Sequence, residues 1–245
     1  RIVAYRDIMV SPANTTLHYG QAIFDGLKAY RNGERVSIFR ARDHVKRINV
    51  SAKILDIPEV PYETALEGLK KLISIERDWI PTGAGQSLYI RPFIFADDPY
   101  LGVRVSKTYK FLIILSPVGA YYPTGLDPVK IMVEDELVRA VKGGTGFTKC
   151  GGNYAGSILG QVKAEEKGYT QVLWLDGEER KYVEEVGTMN IMFKIDGEIY
   201  TAPIDNGTVL PGVTRDSMIT LLRDWGYTVH EEKLAVDDLM KAGHD

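Results

Sequence analysis

Lys149-Cys150-Gly151-Gly152-Asn153-Tyr154, followed further along by Glu185-Val186-Gly187-Thr188-Met189-Asn190, is the part of the chain whose reading decides the rest. A protonated lysine amine is a poor nucleophile, so one that forms a Schiff base needs partial burial or a cationic neighbour to lower its pKa. Glycines beside it let a flat ring come close to the backbone. The Tyr154 hydroxyl would bond a phenolic oxygen on such a ring, and a buried Glu185 would keep a ring nitrogen protonated so that the ring acts as an electron sink. The bland reading makes Lys149 one more solvated lysine among 30 basic residues, and the run of neighbours speaks against it.

The whole chain sets the frame. It has 245 residues, 44% hydrophobic and 26% charged, which is the composition of an ordinary globular protein of one or two domains. A net charge of -3 and a pI near 5.9, with lysines and arginines scattered among acids, leave no electrostatic footprint for nucleic acid. Cys150 is the only cysteine, and His18, His44, His230 and His244 have no zinc-ligand spacing. A reducing compartment and a metal-free site are the expectations. No apolar run approaches the ~20 residues that cross a bilayer, and no signal-peptide or lipidation pattern is seen at either end, so no membrane partner and a cytoplasmic location are expected. The chain opens at Arg1 with a strand-like run, Ile2-Val3-Ala4-Tyr5, and stops after a short helical pattern; both ends read as cut.

In the first half, Val45, Ile48, Ala52 and Leu55 recur at helical spacing, as do Leu66, Leu69, Leu72 and Ile73 after Pro61. Strand-like runs cover 87–95 and 109–115. Glycine and proline concentrate over 116–125, which marks an interdomain connection near Tyr121. The expected domains are therefore 1–120, a connecting loop at 121–125, and 126–245. Beyond the loop the pattern predicts a strand over 129–133, a helix over 155–167 and a strand over 171–175. Asn190–Ile195 and Glu198–Ala202 flank Asp196-Gly197, a type I′ hairpin signal. Leu210-Pro211-Gly212 leads into a helix carrying Met218, Ile219, Leu221, Leu222 and Trp225.

The run from Gly143 to Lys149 invites a nucleotide reading and fails it. A dinucleotide fingerprint from Gly144 needs glycine at Lys149, and a P-loop needs glycine at Thr148 and a hydroxyl at Cys150. The helix opening at Thr214 is a better anion site, because its free N–H groups and positive dipole end favour phosphate. Thr214 reads equally as a plain N-cap. Arg40 is similarly open, between a solvent-exposed arginine and a phosphate clamp.

Several runs together resemble the branched-chain amino acid aminotransferases, fold-type IV pyridoxal phosphate enzymes of the class IV aminotransferase family. They are His18 through Tyr30; Phe39-Arg40; Tyr89-Ile90-Arg91-Pro92; Gly119-Ala120-Tyr121; Lys149 to Tyr154; Glu185 to Asn190; and Leu210-Pro211-Gly212-Val213-Thr214-Arg215. They span nearly the whole chain in family order. The resemblance implies an α+β, two-domain fold with a small N-terminal domain lacking its first strands and a larger pseudo-barrel domain cut at its C-terminus.

It also implies that pyridoxal 5'-phosphate is bound, with Lys149 as Schiff-base lysine and acid/base, Tyr154 on the phenolic oxygen and Glu185 on the pyridine nitrogen. Arg40, Val213 and Thr214 would hold the phosphate, and Thr188 would lie against the ring with Met189 nearby, on the substrate side. Tyr19, Phe24, Tyr89 and Arg91 would line the substrate pocket. Leu101, Val103 and Tyr121 resemble residues that close it, the first two from the partner of a homodimer. The implied reaction is reversible amino transfer between leucine, isoleucine or valine and 2-oxoglutarate. Phe24 would serve the aliphatic side chain, and Arg91 with Tyr19 the glutamate side-chain carboxylate. The bland alternatives are a core Phe24 and an Arg91 paired with a surface acid.

Two departures stand out. Asp25 occupies a place where the family commonly has glutamate, which predicts a local packing change, and the family's Gly-Thr-Gly-Thr-Ala-like loop is not found in these residues. The rival readings are D-amino acid aminotransferase, aminodeoxychorismate lyase, or a catalytically silent module kept for binding or assembly. Cys150 reads as a packing residue, since no second cysteine can resolve it.

Overall fold

Pro92 sits in the middle of a long strand, and the first half of the chain is organised around that position. The structure, a computed structural model, describes residues 1–122 and 125–243; Pro123 and Thr124 of the expected connecting loop lie outside the described residues, as do His244 and Asp245. The chain forms two compact units, Arg1–Leu126 with Lys149–Gly151, and Asp127–Thr148 with Gly152–Asp245. The residues Lys149–Gly151 thus group with the first unit although the chain on either side belongs to the second.

The first unit contains α1 (Thr15–Tyr19), β1 (Ala22–Phe24), β2 (Leu27–Asn32), β3 (Arg35–Ile38), α2 (Ala41–Ile54), α3 (Tyr62–Ile75), β4 (Ser87–Ala96) and β5 (Tyr109–Val118). β5 pairs antiparallel along the whole of β4. On the other edge of β4, β1 takes Phe93–Phe95 and β2 takes Leu88–Ile90, with β3 outside β2. The two short strands are separated at Asp25-Gly26, opposite Pro92. The Asp25 N–H donates to the Pro92 carbonyl at 2.9 Å, and Pro92, having no N–H, cannot return the bond.

α2 and α3 form at the expected apolar spacing and bury Val45, Ile48 and Ala52, and Leu66, Leu69 and Ile73. Each large apolar side chain among them contributes about 1.5–3 kcal/mol when fully buried. Leu55, expected within α2, is its C-cap. The strand expected over Ile2–Tyr5 does not form: these residues are exposed and lie in no strand. Strand geometry depends on a pairing neighbour, which a local apolar run does not supply.

α2 also buries a polar stripe, His44, Arg47 and Ser51. Asp25, fully buried, accepts from Arg47 Nε at 2.9 Å and Arg47 Nη2 at 2.7 Å, and its Oδ1 lies 2.8 Å from His44 Nδ1. The departure read as a local packing change is therefore an ion pair that ties α2 to the β1–β2 turn.

The second unit contains β6 (Ile131–Glu134), α4 (Gly151–Glu166, whose first residue counts with the first unit), β7 (Gln171–Leu175), β8 (Val183–Val186), β9 (Phe193–Ile195), β10 (Glu198–Thr201), α5 (Val213–Asp224), β11 (Val229–Glu231) and α6 (Val236–Ala242). β6 and β7 are parallel with α4 between them, and β10 and β11 are parallel with α5 between them, as parallel pairs require a crossover. β8 joins β7 antiparallel, and β9–β10 is the expected hairpin. Asp196 and Gly197 have φ of 49° and 86°, the double left-handed conformation of a type I′ turn.

The helix expected from residue 155 begins at Gly151, and the Asn153 amide donates to the carbonyls of Thr145 and Thr148 at 2.8 and 2.9 Å, tying its first turn to the preceding loop. α4 lies close on Trp174, where a Cβ on Gly160 would come within 2.5 Å of the indole ring. Among the described residues no helix is long and apolar enough to cross a membrane, and no cluster of His, Cys, Asp and Glu could hold a metal.

Burial alone would raise the Asp25 pKa; the hydrogen bonds and charges of Arg47 and His44 outweigh it and hold the carboxyl below its usual range. Its stabilising contribution is therefore complete above the unfolded value of about 4 and is lost as pH falls through the folded value. Asp25→Asn is expected to cost about 3–5 kcal/mol at pH 7, because Arg47 stays buried without its counter-ion. Urea unfolding checks this, and the gap between wild type and variant should narrow below pH ~4.

Candidate active site

Lys149 is held in the first unit by its own peptide. Its N–H donates to the buried Ser51 hydroxyl on α2 at 3.0 Å, and its carbonyl accepts the Phe24 N–H at 3.0 Å. Cys150 forms an isolated bridge to Ile23, so the segment lies along β1 as a brief extra strand. The Lys149 Nζ stands 5.1 Å from the centre of the Phe24 ring, and the Arg91 guanidinium carbon 4.3 Å from the same centre. Both distances fall within cation–π range.

Tyr89 and Arg91 are two apart on β4 and so share a face. Arg91 donates to the Tyr89 hydroxyl from Nε at 3.1 Å and from Nη2 at 2.8 Å. Among the described residues it has no ion pair, so the surface-acid alternative does not hold. Phe24 is half-buried and outside the core clusters. Arg40 is the N-cap of α2 in left-handed conformation, φ 47°, with its Nε 2.8 Å from Asp43 Oδ2. Tyr19 ends α1 on the surface, Leu101 and Val103 are 68% and 86% exposed in the β4–β5 loop, and Tyr121 is exposed. The base of that loop is fixed by Asp98, which accepts from the Lys107 N–H at 2.7 Å and the Thr108 hydroxyl at 3.0 Å.

The second unit gathers the other group of expected residues. Glu185, buried on β8, accepts the Leu210 N–H at 2.7 Å on Oε1, and its Oε2 lies 3.3 Å from Arg139 Nε. Arg139 donates to the carbonyls of Gly146 and Thr208 as well. Glu185, Arg139, Tyr154 and Thr188 line one pocket, with Gly187 and Leu210 beside them. Met189 is half-buried just beyond β8. Val213, buried, opens α5; Thr214 is its exposed second residue. The capping reading of Thr214 is corrected: the N-cap is Gly212. Helical backbone begins at Val213, so Thr214 is already inside the first turn, which leaves it a place among the N-terminal N–H groups.

Arg139 and Ser51 were not singled out from the sequence. Ser51 was findable, since His44, Arg47 and Ser51 recur at the period of the apolar face of α2. Arg139 offered only the weak cue of an arginine between Val138 and Ala140.

Adjacent strand residues face opposite ways, so Glu184 points away from Glu185. Its Oε1 meets the Thr208 hydroxyl, which also lies 2.9 Å from Asn206 Oδ1. That Asn206 oxygen is oriented by the Thr208 N–H at 3.1 Å. The Thr208 hydroxyl is the donor to Glu184 and has Asn206 Oδ1 as a second acceptor within reach, so its one proton is divided between them. Burial pushes the Glu184 pKa up, against the lowering effect of the Thr208 bond.

Residues 22–244 match the family profile of amino-transferase class IV. The chain belongs to this family of transaminases, and the expected α+β class IV fold is the one observed. Branched-chain-amino-acid aminotransferase 2 of Bacillus subtilis (strain 168) is 56% identical over 100% of this chain and 68% of its own length. The structure of the Escherichia coli branched-chain amino acid aminotransferase superposes with a TM-score of 0.84 at 30% identity, covering 98% of this chain and 77% of that one. The T.th. branched-chain amino acid aminotransferase, solved with pyridoxamine 5'-phosphate, gives 0.81 at 32% identity, covering 94% and 74%. Within class IV, the chain falls among the branched-chain aminotransferases.

A raised folded pKa means that the contribution of Glu184 to stability is present at low pH and lost as pH rises through that value. Glu184→Gln keeps an acceptor oxygen for the Thr208 hydroxyl and removes the group whose charged form burial disfavours. Its stability relative to wild type is expected to be greater at pH 8 than at pH 5, as measured by urea unfolding at the two pH values.

Proposed function

We propose that this chain moves amino groups between leucine, isoleucine or valine and 2-oxoglutarate, with pyridoxal 5'-phosphate held on Lys149. The observation that carries the reading is the Lys149–Phe24–Arg91 arrangement. One wall offers the reacting amine, an aromatic face for an aliphatic side chain, and a guanidinium that, among the described residues, is hydrogen-bonded only to a neutral hydroxyl and so is able to receive a carboxylate.

The donor set fits the cofactor. Glu185, buried and oriented by Leu210 and Arg139, is an acceptor for a pyridine N–H, and Tyr154 and Thr188 line the same pocket. Arg40 supplies a cation for the phosphate, and the α5 N-terminus at Val213 and Thr214 supplies N–H groups and a favourable dipole. When bound, the cofactor withdraws electrons from the substrate Cα and so acidifies its proton. The Lys149 Nζ takes that proton and returns it, starting from a backbone fixed on both sides. Glu185 would accept the pyridine N–H and Tyr154 would bond the phenolic oxygen. Phe24 receives the branched side chain, and Met189 and Tyr19 are proposed as further substrate contacts. In this reading the first unit is the small domain and the second the cofactor domain.

The exposure of Leu101, Val103 and Tyr121 supports a role for them in closing the pocket, the first two across a homodimer. Small-molecule substrates in the cytoplasm, with no nucleic acid or membrane partner, complete the proposal.

Lys149→Ala is expected to abolish turnover and the visible absorbance that added pyridoxal phosphate gains on lysine attachment; a variant that keeps the band would refute the assignment. Glu185→Ala should retain part of the cofactor and lose most activity with leucine and 2-oxoglutarate. Near-normal turnover in that variant would remove Glu185 from the site.

A further inference from the structure

Two residues in the turn between β1 and β2 hold the Arg91 arm in place without belonging to it. Asp25 Oδ1 accepts the Gly26 N–H at 2.7 Å alongside His44 Nδ1 and Arg47 Nη2, while Oδ2 accepts from Arg47 Nε. The Gly26 peptide is thereby locked to α2 through a fully buried group. A Cβ built on Gly26 would lie 2.2 Å from the Tyr89 hydroxyl oxygen and 2.8 and 2.9 Å from two carbons of the Tyr89 ring. Side-chain carbons do not approach other atoms that closely, so the Tyr89 hydroxyl occupies the space a side chain at position 26 would need. That same hydroxyl accepts both bonds from Arg91, whose guanidinium lies over Phe24.

We propose that Gly26 and Asp25 are positioning residues for dicarboxylate recognition: Asp25 fixes the Gly26 peptide, Gly26 seats the Tyr89 hydroxyl, and that hydroxyl aims Arg91 at a substrate side-chain carboxylate. The inference rests on the proposed role of Arg91 as carboxylate receptor. Glycine is needed at 26 for its missing side chain. An alanine there leaves the backbone allowed but turns the Tyr89 ring aside, and Arg91 loses the acceptor that orders it. Recognition of an aliphatic 2-oxo acid uses the Phe24 face and does not depend on the aim of the guanidinium. The consequence is a selective defect that a general loss of packing would not produce.

The test compares KM for 2-oxoglutarate and for 4-methyl-2-oxopentanoate in wild type, Gly26→Ala and Arg91→Met, using full-length chains loaded with pyridoxal phosphate. Gly26→Ala is expected to raise KM for 2-oxoglutarate roughly tenfold, the scale of one charge-assisted hydrogen bond, while KM for 4-methyl-2-oxopentanoate stays within about twofold. In the Gly26→Ala, Arg91→Met double variant the alanine should add nothing further to the 2-oxoglutarate KM, because both changes act through one group. If Arg91→Met raises that KM and Gly26→Ala does not, or if Gly26→Ala raises both KM values alike, the positioning role is overturned and the Arg91 reading stands. If Arg91→Met itself leaves it unchanged, the Arg91 reading falls and the positioning role with it. Should Gly26→Ala fail to hold cofactor, Tyr89→Phe decides: it removes the seated hydroxyl without adding an atom. A rise in the ratio of the two KM values supports the proposal, and an unchanged ratio overturns it.

Discussion

The peptide of Lys149 is the constraint on which the site depends. Its N–H and carbonyl are both committed within the first unit, to Ser51 and to Phe24, although the residues before and after the Lys149–Gly151 segment belong to the second unit. A lysine side chain has up to about 2 kcal/mol of rotamer entropy to lose on being ordered. Anchoring both backbone groups removes the larger uncertainty, where the side chain starts, and leaves the four-carbon stem to span a short defined distance past the Phe24 ring. Ser51 and the β1 edge are thus as much a part of the role proposed for the lysine as its amine.

The β1 edge is shaped by an interruption. Pro92 cannot return the Asp25 bond, so the edge of β4 is shared by two short strands, and the residues at the break, Asp25 and Gly26, leave the ladder. A carboxylate left at such a break would be costly in a buried place, and the polar stripe of α2 satisfies it in full. The same helix that gives Ser51 to Lys149 gives His44 and Arg47 to Asp25 and has Arg40 as its N-cap. One helix therefore positions the lysine, the turn that carries Phe24, and the arginine proposed for the phosphate.

In the second unit the corresponding device is strand alternation. Glu184 and Glu185 are adjacent and both buried, yet one meets Thr208 and the other Arg139 and Leu210. The Glu185 carboxylate lies against an arginine cation, whereas burial beside a hydroxyl raises the pKa of Glu184. The difference in chemistry between two identical residues comes from the pleat.

Much of this was legible in the sequence because the signals are local. Apolar residues at helical spacing placed α2 and α3, Asp196-Gly197 placed the hairpin, and the lysine and glutamate runs with their companions indicated the family. Signals that depend on a distant partner were missed or misread. Ile2–Tyr5 has strand composition and pairs with no strand among the described residues; Thr214 looks like a cap, but the helix begins one residue earlier. Arg139 carries no mark of the buried glutamate it faces, and Asp25 reads as a packing change until Arg47 and His44 are seen around it. The sequence by itself determined the class of fold and the family, since periodicity, turn chemistry and motif order are properties of neighbouring residues. Only the tertiary structure decided which polar groups are buried together, because hydrogen bonds and ion pairs in a low-dielectric interior are set by residues brought close in space from far along the chain.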